Sequence, residues 1–441
     1  MNVTRRQFAA AASSLLAGCR ATGPDAPGGT PDDPSVERWR ADFPALQQTV
    51  DGGRLAYLDS AATTHRPYAV IRALSEYYAR TNANPSATMH SLARRSFEAY
   101  EQARRDVAAF LNARDPNEVV WTKGTTEGIN LVATAWGASN LRADDEVLVS
   151  VAEHYSNLLP WRAAAERTGA TLRFVDVDDE GVLDLDDFDR KLSARTRLVA
   201  ISHASNVVGH LNPIVEICAR AHRAGARVLV DAAQSVPHVP VDVRALDCDF
   251  LAFSSHKMLG PMGVGVLWAR RELLDAMPPY QLGSNMAHDV DVESAQYEHA
   301  ALKYGAGTPN VAGPIGLRAA IAYVNTIGRN AILDHERALT VHALNRLRGI
   351  RGLALLGPSS AADRVPVFSF VLQGVPPIEV VRRLDAEGIA IRAGDLAALP
   401  LLKRFGVAAA ARASCYFYST TGEIDRLGAA LERMEHPGRT T

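Results

Sequence analysis

Two stretches decide the architecture: Val228-Leu229-Val230-Asp231-Ala232-Ala233-Gln234 and Phe250-Leu251-Ala252-Phe253-Ser254-Ser255-His256-Lys257. Each is a short apolar run that ends abruptly in polar and charged residues. A run of this kind, with no polar residue on alternate positions, suits a strand buried on both faces. Such strands belong to mostly parallel sheets covered by helices, and ligands of those sheets sit at the carboxyl ends of the strands. Asp231, Gln234, Ser254, His256 and Lys257 all fall at such ends. A carboxylate there is costly unless a cation faces it, and Lys257 brings one to the same edge.

The pattern repeats outward from these two runs. Residues 118–122, 146–151, 172–177, 198–202 and 264–268 read as further strands, separated by amphipathic segments such as 214–224. Gly124-Thr125-Thr126 lies between a strand and a helix expected from 128 to about 136. Free N–H groups and hydroxyls at such a helix start favour a phosphate. His154 and Asn206 follow two more strands. From about 324 the pattern changes to helices at 329–348, 377–387 and 421–434 around strands at 365–372, 389–392 and 413–417. The expected organisation is α/β: a segment 37–54 packing on the small domain, a large domain at 55–325 and a smaller α+β domain at 326–441.

Composition sets the class. The chain has 441 residues, is 47% hydrophobic and 22% charged, and carries a net charge of −2. That is an ordinary globular composition, without the basic surplus that nucleic-acid binding or coating of an anionic membrane would draw on. Four cysteines exclude a disulfide scaffold. No metal-ligand cluster is expected. Of the 47 basic residues only five are lysines: Lys123, Lys191, Lys257, Lys303 and Lys403. Only Lys257 stands at a strand end together with the other candidate residues.

The amino terminus reads as an address. Thr4-Arg5-Arg6-Gln7-Phe8 precedes a small-residue apolar run that ends in Leu16-Ala17-Gly18-Cys19. The run is too short to span a bilayer, which takes roughly 20 apolar residues. Residues 1–19 resemble a twin-arginine export signal with a lipobox-like end. They imply a periplasmic protein with a lipid anchor at Cys19. Residues 20–36 are rich in proline and glycine and read as a flexible linker.

Taken together, the strand-end residues supply an amine, an anion for a pyridinium nitrogen, a phosphate cradle and an imidazole that can lie on a ring. Pyridoxal 5′-phosphate (PLP) needs that set. Singly, each has a plainer reading: Asp231 as a helix cap or surface acid, Thr125-Thr126 as an N-cap, His154 as a satisfied core histidine and Lys257 as a surface lysine. Their recurrence at successive strand ends favours the cofactor.

Longer motifs carry a resemblance. They are Ala41-Asp42-Phe43-Pro44, Tyr57-Leu58-Asp59-Ser60-Ala61-Ala62-Thr63-Thr64, Ala152-Glu153-His154-Tyr155-Ser156-Asn157, Ser205-Asn206-Val207, Gly307-Thr308-Pro309-Asn310 and Arg412-Ala413-Ser414. With the two strand-end stretches, they resemble the class V aminotransferases, which are fold type I PLP enzymes. Among these the nearest are SufS-type cysteine desulfurases and selenocysteine lyases. The resemblance implies that Lys257 carries the cofactor on its amine and that Asp231 pairs with the pyridine nitrogen. It implies that His154 stacks on the ring and that Gln234 contacts the ring 3′ oxygen. Thr125, Thr126, Ser254 and His256 would hold the phosphate. Thr308 would reach the phosphate of a neighbouring subunit, which implies a homodimer. Asn206 and Arg412 would take the substrate carboxylate, with Arg392 nearby.

Departures from the family bear on the reaction. The desulfurases keep a cysteine in an arginine–x–glycine–x–x–cysteine frame. Here the frame is Arg392-Ala393-Gly394-Asp395-Leu396-Ala397, with Ala397 where the persulfide-forming thiol stands. Ser86 also replaces a histidine, and Gly305 a glutamate. Without that thiolate the chain has no evident nucleophile for sulfur; of the remaining cysteines, Cys415 alone lies near a motif residue. The expected function is action at the α-carbon of an amino acid or peptidyl substrate, by C–S lyase-type β-elimination or by tailoring of a secreted peptide. The alternatives are a desulfurase using an unusual or external thiol, and a non-catalytic PLP-fold binding protein.

Overall fold

Seven strands build the central sheet: β1 (Val119–Thr122), β2 (Glu146–Ser150), β3 (Thr171–Val175), β4 (Thr196–Ser202), β5 (Arg227–Asp231), β6 (Phe250–Ser254) and β7 (Gly265–Ala269). Their order is β1-β7-β6-β5-β4-β2-β3. The computed structural model describes residues 34–435 apart from 51, 52 and 87. The expected export signal at 1–19, the anchor at Cys19 and the linker up to 33 lie outside the described residues. Helix Pro34–Ala41 begins inside the expected linker.

The sheet is mostly parallel, as its unbroken apolar runs imply. On β5, Val228 and Val230 join a fully buried cluster with Val199, Ile201, Leu251 and Phe253. Leu229 faces the other way, into a cluster with Leu198, Ala200, Phe250 and Ala252. Both faces are therefore covered. Strand β7 alone runs antiparallel to its neighbours β1 and β6. The reason is length: the 255–264 connection is shorter than the crossover of about a dozen residues that a parallel neighbour needs.

Helix α1 (Thr125–Leu131) starts at the carboxyl end of β1, earlier than expected, and runs on through a wider turn at Val132–Trp136. The carboxy-terminal region has its own antiparallel sheet, β8 (Leu353–Leu356), β9 (Val367–Leu372), β10 (Arg392–Gly394) and β11 (Ala410–Ser414), in the order β8-β9-β11-β10. Helices α2 (Arg329–Arg348), α3 (Pro377–Asp385) and α4 (Thr421–Glu435) pack on it through Leu339, Val380 and Leu427.

The fold corrects three expectations. The strand expected at 389–392 divides: Ile389–Ala390 pairs with Ala56–Tyr57, while β10 pairs with β11. The strand expected at 413–417 ends at Ser414, because Tyr416, Phe417 and Tyr418 turn into a buried aromatic cluster with Phe43. The 325/326 boundary falls inside helix Ala312–Ile327. The 37–54 segment, expected to pack on the small domain, contacts Tyr418 and Glu423 and also Tyr323. Arg40 donates to the Tyr418 carbonyl at 2.9 Å and pairs with Glu423 at 2.6 Å, while Asp42 accepts from Tyr323 of the large domain. Among the described residues, no helix is long and apolar enough to cross a membrane.

Candidate active site

A cavity of about 420 Å³ opens at the carboxyl ends of β4, β5 and β6 and is walled on one side by β10 and the loop after it. Eleven of the predicted site residues line it: Thr125, Thr126, His154, Asn206, Asp231, Gln234, Ser254, His256, Lys257, Arg392 and Arg412. Thr308 does not. Its hydroxyl accepts from Asn84 Nδ2 at 3.3 Å, away from the cavity.

Strand β5 delivers Asp231 to the cavity floor, buried, with Oδ1 accepting from the Ala233 N–H at 2.9 Å. Burial pushes its carboxyl up, against the pull of that N–H and of Lys257. Lys257 sits on the turn Ser255–Lys257 that leaves β6. Burial lowers its ammonium to about 8; Asp231 opposes this, and Arg412 and Arg392 reinforce it. An amine that sheds its proton near pH 8 can act as nucleophile and base.

His154 opens the short turn Tyr155–Asn157, with Nδ1 accepting from the Ser156 N–H at 3.1 Å. Burial, Lys257 and Arg412 push it down to about 4. At neutral pH it is therefore an uncharged flat ring. Beneath it Glu153 is buried, accepting from Ser150 Oγ at 2.6 Å, from Asn157 Nδ2 at 2.7 Å and from Ser202 Oγ. Burial raises the Glu153 carboxyl to about 7.

The cradle forms where β1 turns into α1. The Thr125 N–H donates to Ser254 Oγ at 2.8 Å, and the two hydroxyls lie 2.7 Å apart. Thr126 Oγ1 and Ser156 Oγ are 2.8 Å apart. This closeness depends on Gly265, where a Cβ would stand 2.5 Å from Gly124 Cα.

Gln234 Nε2 donates to the Ala61 carbonyl at 2.8 Å, which leaves its Oε1 buried without a partner. His256 Nδ1 and Arg412 Nε are likewise unpartnered. Each such atom costs about 1–3 kcal/mol while it stays so. Three on residues lining one cavity mark a place built for a polar group.

Some contacts go beyond expectation, and some residues had no assigned role. The Asn206 amide, which lines the cavity, also donates one N–H to the Leu396 carbonyl at 2.8 Å, so it tethers a loop and keeps a second N–H for a ligand. Asp59 had no assigned role. It binds Arg392 at 3.1 Å and Arg412 at 3.4 Å, aligning both guanidinium groups. Its position directly after Tyr57-Leu58 is a strand-end signal of the kind that flagged Asp231. Tyr155 donates at 2.7 Å to Asp395, which lines the cavity, a pairing the sequence did not suggest. Cys415 is buried in the small-domain core, where burial pushes its thiol up. Among the described residues no cysteine lines the cavity, and Ala397 does.

Residues 56–427 match the model of the class-V aminotransferase family. The chain belongs to that family. It is 47% identical over 400 residues to a cysteine desulfurase of Synechococcus elongatus, covering 91% of this chain but 64% of that longer relative. It is 45% identical to a probable cysteine desulfurase of Streptomyces coelicolor, covering 91% of this chain and 97% of the relative. Among solved structures, a cysteine desulfurase of Escherichia coli superposes with a TM-score of 0.83 at 39% identity over 90% of this chain and 98% of that one. Class-V aminotransferases are fold type I PLP enzymes, and the residues present fit that cofactor. Lys257 suits its carbonyl, Asp231 its ring nitrogen, and the Thr125–Ser254 cradle with His256 its phosphate. The unpartnered Gln234 Oε1 suits a ring hydroxyl.

Proposed function

We propose that the chain is a PLP-dependent enzyme that acts at the α-carbon of a small amino acid and cleaves a β-substituent, in the manner of a C–S lyase, without storing sulfur on itself. One observation carries this reading. The cofactor residues converge on a cavity whose facing loop offers Ala397 and to which no cysteine among the described residues contributes. When bound, the cofactor supplies an electron sink for charge released at the α-carbon. Arg412, steadied by Asp59, takes the substrate carboxylate in a planar pairing that suits arginine. Arg392 adds a second cation at the rim. Lys257, near neutrality, removes the α-proton. Asp231 would pair with the cofactor's ring nitrogen and favour its protonated form, and the neutral His154 ring would supply a surface for it.

A residue inside a peptide has no free α-carboxylate for Arg412. This favours a free amino acid, or a carboxy-terminal residue, over an internal residue of a secreted peptide. The relatives' names favour a second reading, desulfuration of cysteine; with no cysteine among the described residues on the cavity, the acceptor would then be an external thiol. Both can be read from one incubation of the holoenzyme with L-cysteine, with and without added thiol. Elimination yields sulfide, pyruvate and ammonia without thiol. Desulfuration yields alanine and requires the thiol. Cofactor-loaded protein that converts none of a panel of amino acids would leave the non-catalytic binding protein. The homodimer and the twin-arginine export to the periplasm belong to the same proposal. Thr308, apart from its own chain's cavity, is free to serve a second subunit; export rests on residues 1–19.

A further inference from the structure

The loop after β10 is held at five points. Within it, Asp395 Oδ1 accepts from the Ala397 N–H at 3.0 Å, and the Asp395 carbonyl accepts from the Ala398 N–H at 2.9 Å. Three more bonds arrive from the large domain. Tyr155 OH donates to Asp395 Oδ2 at 2.7 Å, the Tyr155 N–H donates to the Ala397 carbonyl at 2.8 Å, and Asn206 Nδ2 reaches the Leu396 carbonyl. The Leu396 side chain is buried in a cluster with Val177, Val207, Val208 and Leu401. Leu396 and Ala397 both adopt left-handed backbone, with φ of 52° and 53°. Residues with a Cβ keep that conformation only where their surroundings over-determine it.

These contacts have a direction. Leu396 anchors one side of the loop in apolar packing, and Asp395 and Ala397 are presented to the cavity with Arg392. Tyr155 follows His154 immediately, so the bonds that fix the loop also fix the turn carrying the imidazole. Each carboxylate oxygen of Asp395 accepts one hydrogen bond, from an N–H or a phenol, and these hold its carboxyl below the usual range.

We infer that Tyr155 and Asp395 form a latch between the two domains that makes residues 395–397 a fixed wall of the cavity, and that this wall limits the size of the substrate side chain. The pair is thus specificity-determining. The inference rests on the proposed amino-acid site, since it is the side chain of a substrate held at Arg412 that meets the wall.

The test uses the holoenzyme and its Tyr155→Phe and Asp395→Asn variants, both changed at the cavity rim. Hydrogen exchange by mass spectrometry reads the latch: the amides of Ala397 and Ala398 are expected to exchange at least tenfold faster in each variant, with β5 and β6 unchanged. Equilibrium binding reads the wall, from the change in visible absorbance of the bound cofactor on titration with glycine and with homophenylalanine, which is bulky and carries no leaving group on its β-carbon. The ratio of their affinities is expected to shift at least fivefold toward the bulky ligand. Unchanged exchange in both variants overturns the latch. Faster exchange with equal loss of affinity for both ligands overturns the wall, because a merely structural role weakens binding without changing selectivity. Neither measurement needs turnover, so an enzyme that fails to cleave cysteine refutes the proposed reaction and leaves this inference to its own readouts.

Discussion

Gly265→Ala would strike the cofactor cradle through the backbone. A Cβ at this position meets Gly124 Cα at 2.5 Å, the Phe253 carbonyl oxygen at 2.7 Å and Gly124 C at 2.9 Å. Carbon atoms settle at about 3.5–4.0 Å, so a gap of about 1 Å must open. No flexible side-chain end lies in the way; every clashing atom is main chain. One route of relief moves β7 off β6, where Gly265 pairs with Ser254. The other moves Gly124 and takes the Thr125 N–H and hydroxyl off Ser254. Overpacking costs about 1–3 kcal/mol, and backbone on both sides argues for the upper end. The lost cradle bonds add about 1 kcal/mol each. The expected result is a loss of about 3 kcal/mol if the cradle bonds survive and about 5 kcal/mol if both are lost, read by urea unfolding of the apoprotein. PLP affinity should fall at least tenfold, a factor that corresponds to about 1.4 kcal/mol. Gly263→Ala is the control. Its φ is +73° with no heavy atom within 4 Å, so it bears only the left-handed cost of about 1–2 kcal/mol and keeps its PLP affinity. A Gly265→Ala protein no less stable than this control, with native affinity, would refute the close-approach reasoning.

Loading of the apoenzyme with PLP should accelerate as pH rises through about 8, where Lys257 loses its proton. Arg412→Gln removes a cation that depresses the lysine and should move the inflection upward; stopped-flow absorbance that places the wild-type inflection near 10 would exclude the perturbed amine. Glu153 has its carboxyl raised to about 7, so the folded state binds the proton that the unfolded chain has already released. Its contribution is therefore present at low pH and is lost as pH climbs from about 4.5 to 7, at up to about 1.4 kcal/mol per unit. Glu153→Gln carries no such titration, so its stability relative to wild type should improve over that window. Urea midpoints that run parallel from pH 5 to 8 would show that Glu153 is ionised throughout.

Much of the site was legible because strand ends are written locally. Val228–Val230 and Phe250–Phe253 announce burial on both faces, and in a parallel sheet that fixes which end faces ligand. Asp231 and Lys257 follow from it. Asp59 obeys the same rule and was open to the same inference. Asn206 shows the limit of motif reasoning: its place at the cavity was readable, but its bond to the Leu396 carbonyl was not, since no local pattern reports a partner 190 residues away. The direction of β7 was also readable in principle from the short 255–264 connection. The end of β11 at Ser414 was not, because Tyr416 and Phe417 suit a strand and a buried cluster equally well.

The sequence by itself determined the layered α/β architecture, the cofactor class and the single lysine able to carry it, since each depends on residue types at short spacing. It also showed that alanine occupies position 397 of a chain with few cysteines. Only the tertiary structure decided that Cys415 is sealed in the small-domain core, and that Asp59 joins two arginines distant in sequence. The same holds for the clasp of Tyr155 on the cavity residue Asp395. The physical reason is common to all three. Burial and long-range pairing belong to the packed chain, and the energies that distinguish a reactive thiol from an inert one, or a fixed loop from a travelling one, arise when distant segments exclude water together.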